Sequence, residues 1–240
     1  NQVLHEGPCL LPELVRVLLR FRFFKVGVVA DIERAFHQVE VAKKDRDFLR
    51  VLWVENIEDQ IVKPLTLRFT RCVFGVTCSP FHLLATLNCH FNKYAISYPD
   101  TVSELRRGMY VDDFSSGADD ASEGLVLAQQ AKKILGEGGF NLRKFGSDSS
   151  ELLAGLGTEG TSCKAAGFED MTYSEFSTLS NEGVCDPAES KVLGLIWDKG
   201  SDEFVFKFSS LLETAQLMPI TKRSVLRLMA KTFDPLGLVS

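Results

Sequence analysis

The sequence predicts an α+β fold, with helices backing an antiparallel sheet. Strand-like apolar runs and helical stripes interleave along the chain, but most of the strand-like runs come as pairs around polar turns, and hairpins favour an antiparallel sheet over a doubly wound parallel one. The predicted order is helix, strand, hairpin, helix, hairpin, helix, strand, hairpin, helix, with no internal repeat.

Taken in order, Leu10 to Arg20 carries Leu11, Leu14, Val15, Leu18 and Leu19 at helical spacing, with Pro12 near the start. Val26 to Ala30 is a short β-rich run that predicts a buried strand ending at Asp31, and Phe36 follows after a tight turn or short helix. Phe48 to Val54 and Leu65 to Arg71 form a hairpin around Glu55 to Gln60, with Leu65, Leu67 and Phe69 on one face. Cys72 to Cys78 is a loop, and Ser79-Pro80 has the chemistry of a helix start, a capping hydroxyl before a proline. The helix runs from Phe81 to Tyr94, where His82 and His90 are expected to pack or cap.

Met109-Tyr110-Val111 and Phe114-Ser115-Ser116 bracket Asp112-Asp113 as a hairpin tip. Asp120 to Glu123 is a capping box opening a helix striped by Leu125, Ala128, Ala131 and Leu135, stopped by Gly136, Gly138 and Gly139. Phe140 to Phe145 alternates as a strand. Residues 146–190 are a variable surface excursion with a short helix near Glu151 to Leu156. Lys191 to Trp197 and Phe204 to Phe208 are strands around an Asp198 to Asp202 turn. A last helix, Thr221 to Thr232, gathers Lys222, Arg223, Arg227 and Lys231 on one side, either as a solvated face or as a surface that tracks a phosphate backbone.

The 240 residues suit one large domain or two small ones, and 45% hydrophobic with 25% charged residues is ordinary globular composition. No apolar run reaches membrane-span length and no cleavable leader pattern opens the chain, so a soluble, intracellular protein is expected. The start at Asn1 and the apolar close at Leu236 to Ser240 read as a piece of a longer polypeptide. The six cysteines are neither dense nor spaced as a zinc site, which predicts reduced thiols; Cys78, Cys89 and His90 lack a second close pair. A net charge of -5 argues against a uniformly basic nucleic-acid binder and leaves room for a local basic groove.

Two adjacent aspartates at a hairpin tip are either a polar turn or part of a divalent-metal site, because neighbouring carboxylates repel unless something offsets them. Asp31, ending a buried strand, could lie beside that tip in an antiparallel sheet. Three aspartates fit a two-magnesium site, in which one ion lowers the pKa of an attacking hydroxyl and the other stabilises a leaving oxygen.

Asp31-Ile32-Glu33-Arg34-Ala35-Phe36, Phe74 to Pro80, Tyr110-Val111-Asp112-Asp113, Gly139 to Lys144 and Leu193-Gly194-Leu195 together resemble the ordered palm motifs of reverse transcriptases. The flanking Gly7 to Pro12, Leu18 to Arg22 and Phe233 to Leu238 resemble the BEL/Pao class of LTR retrotransposon polyproteins, so the resemblance spans essentially the whole chain.

The resemblance implies a palm-like antiparallel sheet with partial fingers and the start of a thumb or connection. Residues 1–25 would be the end of the fingers, 26–210 the palm and 211–240 the truncated thumb or connection. It implies Asp31, Asp112 and Asp113 as catalytic metal ligands for two Mg2+ ions, with Mn2+ an alternative. Nucleotide-binding positions would be Ile32, Glu33, Arg34, Ala35, Phe36, Phe74, Gly75 and Lys144. Phe36 matches an aromatic gate against a 2′-hydroxyl and Lys144 a lysine near the triphosphate. Template and primer contacts would come from Ser79, Pro80, Tyr110, Leu193 and Gly194.

The implied partners are an RNA or DNA template with primer, deoxynucleoside triphosphates, and the fingers, RNase H and integrase regions of the polyprotein, with no membrane. The implied location is cytoplasmic, in virus-like particles. The family's triphosphate-clamping fingers strands fall upstream of Asn1, so this fragment is expected to fold but to polymerise poorly. Two other readings remain open: a decayed or domesticated element that only binds nucleic acid or a protein, and a metal-dependent hydrolase, in which Phe36 and the Phe74 loop have no evident role.

Overall fold

The computed structural model describes residues 1–55, 64–157 and 189–238. In chain order the elements begin with α1 (Leu14–Phe21), β1 (Val26–Ile32), α2 (Ala35–Gln38), β2 (Arg50–Trp53) and β3 (Leu65–Arg68). Next come α3 (Ser79–Asn92), α4 (Pro99–Gly108), β4 (Met109–Tyr110), β5 (Asp113–Ala118), α5 (Ala121–Glu137), β6 (Leu142–Gly146) and α6 (Ser150–Gly155). The described C-terminal part holds β7 (Glu189–Val192), β8 (Leu195–Asp198), β9 (Glu203–Val205), α7 (Ser209–Gln216) and α8 (Lys222–Met229). The fold is α+β, and among the described residues every strand pair is antiparallel.

β1 has no charged side chain before Asp31, so neither face of the strand needs water, and all of it after Val26 is buried. It is an inner strand of a four-stranded sheet ordered β4-β5-β1-β6. Alternation sends Val28, Ala30 and Ile32 into one core, shared with Leu83, Leu87 and Phe91 of α3, Leu105 of α4, Ala128 and Ile134 of α5, and Leu152 of α6. Val29 faces the other way, into a second core made by Val17, Leu18 and Phe21 of α1 with Val192, Leu195 and Trp197 of the β7-β8-β9 sheet. Each fully buried apolar side chain of this size stabilises the fold by ~1.5–3 kcal/mol.

Gly27 makes the second core possible. Phe21 and Trp197 meet edge to face at 4.9 Å, and a Cβ on Gly27 would lie 2.8 Å from Trp197 and 2.9 Å from Phe21. The small β7-β8-β9 sheet is fastened to α1 by Arg22, which pairs with the Asp202 carboxylate, while the Trp197 indole donates to the same carboxylate at 2.9 Å. The Arg22 guanidinium, with help from Trp197, holds the Asp202 pKa below the ordinary value of 3.8.

α5 opens as its sequence dictates, with the Asp120 side chain accepting from the Glu123 amide. Its buried stripe includes Ala128, Ala131 and Leu135, while Leu125 is partly buried and its side chain lies against Gly155 of α6. His90 is buried, and its Nε2 meets the Ile134 carbonyl at 2.6 Å, which ties α3 to α5. His82 is exposed.

Several expected boundaries move. α1 starts at Leu14 because Pro12 restricts the residue before it and Glu13 is extended. Ser79 is the first residue of α3 rather than its cap: Cys78 holds the cap position, and the Ser79 hydroxyl donates to the Val73 carbonyl at 2.7 Å. Lys191 to Trp197 is not one strand but a tight hairpin, β7 and β8 turning on Leu193 and Gly194, both with positive φ. The returning strand stops at Val205, and Ser209 begins α7.

The expected β2-β3 hairpin forms, with Arg50 opposite Arg68 and Trp53 opposite Leu65, but both strands are exposed, and most of its Glu55 to Gln60 turn lies outside the described residues. Of the excursion over 146–190, residues 158–188 lie outside them too, and the expected short helix is α6. The basic C-terminal helix is α8, with no buried residue. Among the described residues Cys9, Cys72, Cys78 and Cys89 are free thiols, and no helix is long and apolar enough to cross a membrane.

Two consequences can be measured. Gly27→Ala is expected to cost about 1–3 kcal/mol through overpacking against Phe21 and Trp197, read by thermal or denaturant unfolding. Because the folded Asp202 pKa is depressed, its contribution is fully present above the ordinary value near 3.8 and is lost as pH falls through the lower folded value. The β7-β8-β9 sheet is therefore expected to loosen below pH ~4, followed by Trp197 fluorescence in a Trp53→Phe background. Asp202→Asn should abolish that pH-dependent part.

Candidate functional site

Alternation along β1 places Asp31 on the same side as Gly27 and Val29, buried near the strand's C-terminal end. β5 runs antiparallel beside it in a register that sets Asp31 opposite Asp113. The neighbouring β4-β5 hairpin turns on Val111 and Asp112, so Asp112 is a turn residue and Asp113 the first residue of β5, rather than both forming the tip. The Ile32 amide donates to the Asp112 carbonyl at 2.8 Å, which fastens that turn to the end of β1. Asp31 and Asp112 are 6% and 4% exposed, low enough that their carboxylates interact more strongly than in water.

Val111 has φ 58° and is fully buried. A β-branched residue in the left-handed region is a costly choice, of order 1–3 kcal/mol, and such strain concentrates at functional turns.

β6 supplies cations from the other side of β1. Arg143 is the register partner of Asp31, its Nε 3.8 Å from Asp31 Oδ2, and Lys144 Nζ lies 3.6 Å from the same oxygen. Arg143 Nη1 also sits 3.2 Å from Glu33 Oε1, and the Asn141 side-chain amide donates to Glu33 Oε2 at 2.7 Å. Glu33 is thereby oriented by two β6-end residues, while Arg34 is exposed at a left-handed N-cap of α2 and Ile32 and Ala35 are core.

A second feature adjoins this edge. Phe36 on α2, Phe74, Gly75, Val76, Thr77, Ser79 and Pro80 line a shallow cavity of about 210 Å³. Phe36 is itself 1% exposed and meets the half-open Phe74 edge to face at 4.8 Å. Gly75 has φ 78°, which a side chain would disfavour, and a Cβ there would meet nothing. The loop is held by Asn1, whose side-chain amide donates to the Gly75 carbonyl and whose Oδ1 accepts from the Thr77 amide.

No family model matches the chain, and a search of the curated proteins finds no match.

The structure thus groups Asp31, Asp112, Asp113, Glu33 and Lys144 at one end of the sheet, and Phe36, Phe74, Gly75, Ser79 and Pro80 around the cavity. Tyr110 pairs with Asp113 and touches both cores, and Leu193 is buried in the second core with Val29; for Gly194 the structure gives the turn alone. Arg143, Asn141, Val76 and Thr77 were not singled out as site residues by sequence reasoning. The Arg143-Lys144 doublet within a strand is the signal that could have marked the first of them.

Asp31 and Asp113 are like charges directly opposite one another, an arrangement that costs a sheet roughly 0.2–1 kcal/mol. Asp113→Asn is therefore expected to raise stability by about that amount at low ionic strength. Denaturant titration in low and high salt checks it, and a gain that does not shrink with salt would contradict an electrostatic origin.

Proposed function

We propose that this chain is the palm region of an RNA-directed DNA polymerase of the BEL/Pao retrotransposon type. The observation that carries the reading is the antiparallel register that sets Asp31 opposite Asp113 while the Asp112 carbonyl accepts from Ile32. It unites two sequence motifs that otherwise have no reason to meet. Support also comes from Lys144 beside Asp31 and from the cavity carrying Phe36, Phe74 and Gly75.

The donor set suits a hard divalent ion, since all three principal groups are carboxylates and Mg2+ prefers a few carboxylates together with water and phosphate. Among the described residues no three His, Cys, Asp or Glu side chains form a ready-made cage; Asp31 instead turns one oxygen toward Lys144 and Arg143. In this reading Asp31, Asp112 and Asp113 would hold the ions, which supply charge neutralisation and hydroxyl activation when bound. The chain's own part is positioning. The sheet fixes the carboxylates, the cavity receives a deoxynucleotide with Phe36 beneath its sugar, and the β7-β8 turn contacts the primer end at Gly194, with Leu193 buried behind it.

The partners in this proposal are a primed RNA or DNA template, deoxynucleoside triphosphates and the remaining regions of the polyprotein, with virus-like particles as the site of action. The alternative is a retroelement fragment that only binds nucleic acid or a partner. Primer extension with Asp112→Asn, in a chain joined to an upstream fingers segment, separates the two. The polymerase reading expects the parent chain to extend the primer and the variant to lose at least about a hundredfold. Nucleic-acid binding without extension by the parent would favour the binding module.

A further inference from the structure

Arg143 and Lys144 are consecutive residues, and in a regular strand they would face opposite sides of the sheet. Here both reach Asp31 Oδ2, at 3.8 Å and 3.6 Å. The backbone is built for it. Between the pairs Val29 with Gly146 and Asp31 with Arg143, β6 carries one residue more than β1, and Lys144 takes a left-handed φ of 51°. A bulge of this kind re-aims a side chain, and a left-handed lysine costs about 1–2 kcal/mol. Strain at a charged residue, placed where it delivers a second cation to one carboxylate, needs a compensating use.

The two cations are not equivalent. Arg143 is also held by Glu33 at 3.2 Å, and Glu33 is held in turn by the Asn141 side chain and by its own amide donating to the Asn141 carbonyl at 2.9 Å. Arg143 is 25% exposed, whereas Lys144 is 40% exposed on a flexible stem. The facing acidic groups on β5 and its turn are Asp113 and Asp112.

We propose that Lys144, backed by Arg143, is a counter-charge latch on Asp31, which a divalent cation must displace to load at that carboxylate. The proposal rests on the metal-dependent reading of the site. Arg143 stays with Glu33, and Lys144 is the member that leaves. Ion loading at Asp31 then frees the Lys144 ammonium from that carboxylate, so the lysine and the ion compete for one oxygen.

The test is Mn2+ binding, read by the spin-resonance signal of free Mn2+, together with thermal unfolding in EDTA and in Mn2+. It is run on the 240-residue chain and its Lys144→Met, Arg143→Met, Arg143→Lys and Asp31→Asn variants, with circular dichroism as the folding check. Lys144→Met is expected to bind Mn2+ on the order of tenfold more tightly, as expected when a like charge leaves a cation site. It should also unfold at a lower temperature than the parent in EDTA, and the difference should close when Mn2+ is added. Arg143→Met should tighten binding in the same direction, which keeps the test open if Lys144→Met fails to fold, and Arg143→Lys should bind like the parent. Unchanged or weaker Mn2+ binding by the two methionine variants, with parental binding abolished in Asp31→Asn, overturns the latch and leaves the metal site standing. Parental binding that survives in Asp31→Asn, or no binding by the parent and by both methionine variants, overturns both.

Discussion

Burial of β1 on both faces is the constraint from which the rest follows. A strand enclosed by helices on one side and by α1 with the β7-β8-β9 sheet on the other cannot slip by one residue without sending Val28, Ala30 and Ile32 out of the main core and Val29 out of the second. Its register with β5 is therefore fixed over six consecutive pairs, from Val26 with Ala118 to Asp31 with Asp113. The position of the acidic pair is thus a by-product of apolar packing some distance away. Gly27 belongs to the same constraint, since the space its missing side chain leaves is the space Phe21 and Trp197 occupy.

Strain in the backbone is not spread evenly around this frame. Of the non-glycine residues with positive φ, Arg34 lies three positions after Asp31, Val111 immediately precedes Asp112, and Lys144 touches Asp31. Leu193 shares the second core with Val29. Among the described residues Asp202 alone stands apart, and there the Arg22 and Trp197 bonds compensate. Residues held against their preferred conformation persist where the surroundings over-determine them, so the concentration at one end of the sheet is independent of any motif and points to the same residues.

What was legible in the chain follows from how each signal is encoded. β1 and α5 were legible because a continuous apolar run and a capping box with a helical stripe are local patterns. The Asp112-Asp113 hairpin was legible as a hairpin, but its turn falls one residue earlier than the alternation implies, since a buried valine at φ 58° is a choice that tertiary packing alone justifies. α4 was missed although Pro99 sits at its start, Arg106 and Arg107 in its last turn, and Val102 and Leu105 on its buried side. Its low apolar content hid a regular helix. The break at Leu193-Gly194 was missed because Gly194, its one compositional trace, sits inside an apolar run from Val192 to Trp197 that reads as a single strand. The β6 bulge was invisible because a lysine in the left-handed region leaves no such trace, and with it the meeting of Arg143 and Lys144 on one oxygen.

Net charge says little about such a site, and the local arrangement says more. Two unit charges about 4 Å apart interact by roughly 4 kcal/mol at the effective dielectric of a protein surface, so a carboxylate set at the end of a sheet must be balanced or must give up charge by protonation. Protonation would remove the donors that make aspartates useful to a cation. Cations drawn from the same chain avoid that outcome, provided at least one of them can be displaced. A well-packed arginine alone would neutralise Asp31 and hold it, while a lone mobile lysine would leave the arginine's neighbour Glu33 unbalanced against Asp31. In the latch proposed above, an anchored Arg143 paired with a strained, half-exposed Lys144 would meet both demands, and the left-handed residue at that position would be its structural cost.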